Sequence, residues 1–179
     1  MPFAGVLSFW FDELESQQWW RSDAGIDAEI SRRFGAIHGA ACACELSDWR
    51  TEPAGRLAEI IVLDQFSRNL FRSDGHAFAQ DALALALAQE AISVGADQVF
   101  GLPQQAFFYM PFMHSESALI HAQAVELFDQ PGAEFNLQFE LKHKAIIDRF
   151  GRYPHRNALL GRDSTPEELI FLEGPDSSF

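Results

Sequence analysis

Three stretches of the chain hold polar residues of the types that grip anions and move protons. Asp64-Gln65-Phe66-Ser67-Arg68-Asn69-Leu70-Phe71-Arg72 is the first, Met113-His114-Ser115-Glu116 the second, and His143 to Leu172 the third and longest. In the last, Arg149, Arg152, His155, Arg156 and Asn157 crowd around a turn marked by Gly151 and Pro154. The planar fork of arginine matches the oxygens of a carboxylate or a phosphate. Imidazole changes charge near neutral pH, so His114, His143 and His155, with Glu116, are the candidates for acid or base work. The expectation is a basic pocket in which Arg68, Arg72, Arg149, Arg152 and Arg156, with Asp64, Asn69 and Asn157, hold a small anionic ligand.

Other chemistries lack their signatures. There is no G-x-G-x-x-G or Walker loop and no nucleophile elbow, so no cofactor is expected. His114 and His121 stand seven apart without the H-E-x-x-H spacing, and Cys42 and Cys44 point about 200° apart on a helix, so no metal is expected either.

These groups matter only if their elements turn them inward. On a helix over 55–71, Leu57, Ile60, Ile61 and Phe71 fall within about 60° of Asp64, and Arg68 lies inside the same arc. A buried acid or arginine left alone by loss of its partner costs on the order of 3–5 kcal/mol, so these two must meet each other, other charges or a ligand. As an i, i+4 pair they can satisfy each other, and bracing is as good a reading as binding. Over 133–150 the apolar stripe of Phe135, Phe139, Ile146, Ile147 and Phe150 takes in His143. The arginines of the third stretch have the same two readings, ligand contact or pairing with the chain's own acids.

The 179 residues carry 26 acidic against 13 basic side chains, a net charge of −13. Such a molecule repels nucleic acid and anionic membrane surfaces at long range. Residues 141–162 run against that trend, with Lys142, Lys144, Arg149, Arg152, Arg156 and Arg162 opposed by Asp148 alone. Two cysteines that suit no bridge point to a reduced, cytoplasmic setting. The apolar run Phe3 to Phe11 is too short to span a bilayer and has no basic region before it, so no membrane association is expected.

Apolar residues recur with a helical period in nearly every long segment, which makes the fold class all-α, in one domain over 1–179. Helices are expected from Phe3 to about Trp20, after Asp23 through Ala41, from Gly55 to Phe71, and from Phe78 to Val94 with Gly95 as its cap. A short helix begins at Pro103 and is interrupted at Pro111. Others run from His114 to Phe128, from Ala133 to Phe150 ended by Gly151, over His155 to Leu160, and onward from Ser164-Thr165-Pro166-Glu167-Glu168. Short connections make successive helices antiparallel.

The motifs resemble those of a bacterial domain-of-unknown-function family, the one numbered nine hundred and twenty-four. The resemblance is carried by V-L-S-F-W-F from Val6, Trp19-Trp20, D-Q-F-S-R-N-L-F-R from Asp64, Y-M-P-F-M-H-S-E from Tyr109, R-F-G-R-Y-P-H-R-N-A-L-L-G-R from Arg149 and S-T-P-E-E-L from Ser164. Ser67 stands where that pattern commonly has proline, and Tyr153 where it commonly has phenylalanine. The resemblance implies an antiparallel, tetratricopeptide-like superhelix and no established activity. The leading functional reading is a cytoplasmic protein with an anion pocket capable of acid/base chemistry. The alternative is a non-catalytic scaffold for an acidic peptide or protein partner, and the sequence does not set the oligomeric state.

Overall fold

A computed structural model describes residues 2–175 and 177. Among them the regular elements are all helical and no strand occurs. The chain divides into two compact units, Met1–Arg72 with His76–Pro111, and Ser73–Gly75 with Phe112–Phe179.

In the first unit α1 (Pro2–Ser8) runs into a π turn, Phe9–Glu13, and a 3-10 turn follows at Ser16–Trp20. The single helix expected through Trp20 therefore breaks, and it does so at Leu14, where the backbone becomes extended. Asp23 caps α2 (Ala24–Cys42) by accepting the amides of Gly25 and Ile26, which fits its short acceptor side chain. Pro53 starts α3 (Pro53–Ile61), where its missing N–H is no loss. A π turn at Val62–Phe66 joins α3 to α4 (Ser67–Leu70), so the expected uninterrupted helix over 55–71 contains a register change within that turn. Next comes α5 (Asp81–Ser93), which ends as expected near Gly95, a left-handed residue at φ 72°. Burial of Phe9, Trp10, Phe34, Phe66 and Phe107 supplies the aromatic core. Its rings meet edge-on, Trp10 with Phe66 at 5.6 Å and with Phe107 at 5.7 Å, the arrangement that aromatic quadrupoles favour.

Pro111 lies inside α6 (Gln104–Met113), whose last residues belong to the second unit. There α7 starts at Ala118, and His114 to Ser117 form the connection before it rather than the first turn of a helix. α7 (Ala118–Phe128) and α8 (Glu134–Phe150) pack along each other. Gly151, at φ 68°, ends α8. A 3-10 turn at Pro154–Arg156 and further turns replace the helix expected over 155–160. In α9 (Pro166–Leu172), Thr165 and Glu168 form a capping box, with Pro166 opening the helix. The buried face of α8 differs from the expected stripe: Glu140, His143, Ile146 and Ile147 are inside, whereas Phe135 is 58% exposed.

Gly55 is fixed by a close approach, since a Cβ there would lie 2.0 Å from the carbonyl oxygen of Trp49. Gly55→Ala is expected to lower stability by about 1–3 kcal/mol, the usual cost of overpacking. Gly39, inside α2, has open space where a Cβ would stand. Gly39→Ala is expected to stabilise by about 0.5–1 kcal/mol. Urea denaturation of the two variants tests this opposite pair of signs.

Candidate functional site

Most of the sequence-predicted arginines have carboxylate partners. In the first unit Arg68 donates to both oxygens of Asp81 at 3.0 and 3.1 Å and to the backbone carbonyl of Asp64 at 2.7 Å. Its distance to the Asp64 carboxylate is 3.4 Å. Asp64 is itself buried and accepts from the Gln65 amide at 2.6 Å. Asn69 and Arg72 converge on Asp27, with Arg72 bonded through both Nε and a terminal nitrogen at 2.7 Å. These contacts tie α4 and the residue that follows Phe71 to α2 and α5, which the i, i+4 reading of Asp64 and Arg68 alone did not foresee.

In the second unit Arg149 pairs with Glu167 on the surface, and Arg152 grips Glu168 with two bonds of 2.7 and 2.8 Å. Asn157 is buried and reaches Ser164 at 3.0 Å, while its side-chain oxygen accepts from Arg162. Glu116 takes two hydrogen bonds from Arg162, at 2.6 and 2.9 Å, and the Tyr153 amide at 2.7 Å. Burial pushes its pKa up, but Arg162 and that amide outweigh burial and hold it below the usual carboxylate range. With three donors on an ionised carboxylate, Glu116 is an anchor for the Tyr153 turn and a poor base near neutral pH.

What the structure brings together is a ring of titratable groups around Tyr153, which is wholly buried. His121, His143 and His155 lie against its ring at centroid distances of 6.2, 5.7 and 5.4 Å. The Arg156 guanidinium sits over the same ring, 4.5 Å from its centre, and the residue is 6% exposed. The Tyr153 hydroxyl donates to the Met113 carbonyl at 2.6 Å and lies 3.1 Å from His121 Nε2. On its other side His121 Nδ1 is 2.7 Å from Glu140. His143 donates Nδ1–H to the Phe139 carbonyl at 2.8 Å, which leaves Nε2 as its acceptor nitrogen. Burial, above all, lowers the His143 pKa to about 3 and that of His155 to about 4, and in both the positive charge of Arg156 lowers it further. Both imidazoles are therefore neutral at pH 7. His114 is half-buried in the connection before α7.

Of this centre, the sequence reading singled out His143, His155 and Arg156 but not His121, Glu140, Tyr153 or Arg162. The available signal was on α8: Glu140 stands three before His143 and seven before Ile147, one helical face. Among the described residues no group of three or more His, Cys, Asp or Glu is placed to hold a metal, and no helix is long and apolar enough to cross a membrane. Cys42 and Cys44 are free thiols, with Cys44 beyond the end of α2 at φ 58°.

The bond from Arg152 to the buried Glu168 holds that acid down at about pKa 2, against burial and with help from the Thr165 amide. A depressed acid contributes stability that is complete above its unfolded pKa of 4.5 and is lost as pH falls toward 2. Glu168→Gln is expected to cost on the order of 2 kcal/mol at neutral pH, and the gap from the parent should close between pH 4.5 and 2 in chemical denaturation.

No curated protein matches the chain. A solved structure of a protein of unknown function from Agrobacterium tumefaciens, ATU0120, is 39% identical, with a TM-score of 0.91 over 96% of this chain and 97% of that one. A family model described as a bacterial protein of unknown function, DUF924, matches residues 6–176. The chain belongs to this family.

Proposed function

We propose that the protein is a cytoplasmic binder of a small carboxylate- or phosphate-bearing molecule, with its site at the Tyr153 centre of the second unit. Arg156 carries this reading: a nearly buried guanidinium lies over the Tyr153 ring, against which pack two imidazoles kept neutral by burial and, to a lesser degree, by its charge. An arginine so placed presents a preorganised fork in a low-dielectric setting, where its attraction for an anion far exceeds that of a surface residue. Neutral imidazoles add hydrogen bonds without requiring a counter-charge. Arg149 and Arg152 act with Glu167 and Glu168 as the frame that holds the turn, and Asn157 completes that frame. In the first unit, Asp64, Arg68, Asn69 and Arg72 brace helices.

Acid/base chemistry is the second layer of this proposal. Imidazoles with pKa values near 3 and 4 are weak bases at pH 7. A bound anion stabilises the imidazolium and moves both values up toward neutrality, so the ligand itself would prepare His143 or His155 for proton transfer. His114 is placed to serve only from the rim, since it is half-buried between α6 and α7.

The finer architecture belongs to the same proposal: an antiparallel, tetratricopeptide-like superhelix. Its support is local, because His121 and Glu140 meet at similar distances from the connection between α7 and α8, as antiparallel neighbours do. A second functional reading, a scaffold for an acidic peptide or protein, has one observation in its favour. Leu119 and Ile170 of the second unit are 72% and 70% exposed.

The test is a thermal-shift series of phosphorylated and carboxylated metabolites at low salt, followed by histidine NMR with the best anion. A ligand at about 100 times its Kd should stabilise the fold by roughly 2.7 kcal/mol. The His155 pKa should rise from about 4 on binding. Arg156→Lys, which keeps the charge but loses the fork, should weaken binding at least tenfold. If no anion moves the melting temperature, or if Arg156→Lys and Arg156→Ala bind as the parent does, the anion site is refuted. A peptide bound with equal affinity in excess phosphate would favour the scaffold.

A further inference from the structure

His121 and Glu140 are both wholly buried, and their partners restrict how many protons they share. The Ser115 carbonyl lies 2.8 Å from His121 Nε2. A carbonyl only accepts, so Nε2 must carry hydrogen. The Tyr153 hydroxyl has given its hydrogen to the Met113 carbonyl and is likewise an acceptor toward Nε2. Across the ring, Nδ1 and Glu140 Oε1 are 2.7 Å apart and hold one proton between them, on the oxygen or on the nitrogen.

The far oxygen of the glutamate decides between those two states. Glu140 Oε2 is buried without a hydrogen-bond partner among the described residues. An ionised carboxylate would leave a strongly charged oxygen bare in the interior, whereas a carboxylic acid leaves only a neutral carbonyl there. Burial pushes the Glu140 pKa up, and this outweighs the hydrogen bond and charge of His121 and the charge of Lys144 one turn along α8. Among the described residues, His143 on α8, neutral at pH 7, and Tyr153 on the following turn also face the pair.

We propose that Glu140 is a neutral carboxylic acid at pH 7 that donates Oε1–H to Nδ1 of a neutral His121, and that this uncharged pair positions Tyr153 beneath Arg156. His121 and Glu140 are positioning residues, since they reach the guanidinium only through the tyrosine ring. The charge balance has a consequence for the anion reading, on which the positioning half of the proposal rests. A neutral Glu140 adds no negative charge to the interior that is to receive an anion.

Nitrogen NMR of the histidines in the full chain tests the protonation directly. The expected signature for His121 at pH 7 is an Nε2–H tautomer with Nδ1 bare of covalent hydrogen. An imidazolium signature at pH 7 overturns the proposal. Glu140→Gln supplies an amide N–H to Nδ1 in place of the acid and should keep the tautomer, most of the melting temperature and the phosphate-induced shift of His155. Glu140→Ala should lose at least five-fold in phosphate affinity. If Glu140→Gln falls as far in melting temperature as Glu140→Ala, the glutamate is ionised and the proposal fails. If the tautomer is as expected but phosphate moves no histidine in the parent, the anion site and the positioning half fall together while the protonation assignment stands.

Discussion

The second unit depends on the complete burial of a tyrosine whose hydroxyl is satisfied at both ends. Tyr153 is wholly inside, yet it follows a helix-ending glycine and precedes a proline, in a turn with little regular backbone bonding of its own. Its hydroxyl donates to the Met113 carbonyl and meets His121, and its amide donates to Glu116. Met113, Glu116 and His121 all come from the end of α6 through the start of α7, so the turn after α8 is fastened to the segment before it. A phenylalanine at this position would keep the ring contacts and release the Met113 carbonyl and His121 Nε2 from one partner. In this chain the hydroxyl therefore adds polar constraint to what is otherwise a packing position.

Within each unit the charges separate by role. Arginines at the periphery meet carboxylates two oxygens at a time: Arg72 with Asp27, Arg152 with Glu168, Arg162 with Glu116. Exposed pairs of this kind are worth little, generally under about 1 kcal/mol, and that applies to Arg149 with Glu167. Where one member is buried, as Glu168 is, the pair is needed because an unpaired charge inside is so unfavourable. Several of the buried acids are met by arginine in this way, Glu59 by Arg50 and Glu168 by Arg152.

The sequence shows helices far better than it shows how they are phased. Hydrophobic period located α2, α5 and α8, and turn chemistry located their ends at Asp23, Gly95 and Gly151. It failed at the π turns over Phe9–Glu13 and Val62–Phe66, since a one-residue insertion into a helix leaves composition unchanged while it rotates everything that follows. On α8 the error was of another kind. Phe135 and Phe139 outrank Glu140 on any hydropathy scale, and only the partner on another helix, His121, makes the glutamate the residue to bury. Pairwise satisfaction between polar groups nineteen positions apart has no local sequence signature. The inward direction of Asp64 and His143 was legible because each interrupts a run of apolar neighbours.

The same limit explains why arginine spacing was a weaker guide than arginine burial. The third stretch drew attention by its density of guanidiniums, and density at a surface is what bracing by acids also produces. Arg149 and Arg156 look equivalent in sequence, both one residue from an aromatic or imidazole ring and both near the turn. Arg149 ends on the surface beside Glu167, whereas Arg156 is drawn over Tyr153, where burial lowers the basicity of His143 and His155 and the charge of Arg156 lowers it a little further. That electrostatic relation, more than the count of basic residues, supports the proposed anion site at Arg156. Under the proposed function anion binding would precede proton transfer, because a bound negative charge raises the pKa of both imidazoles toward neutrality.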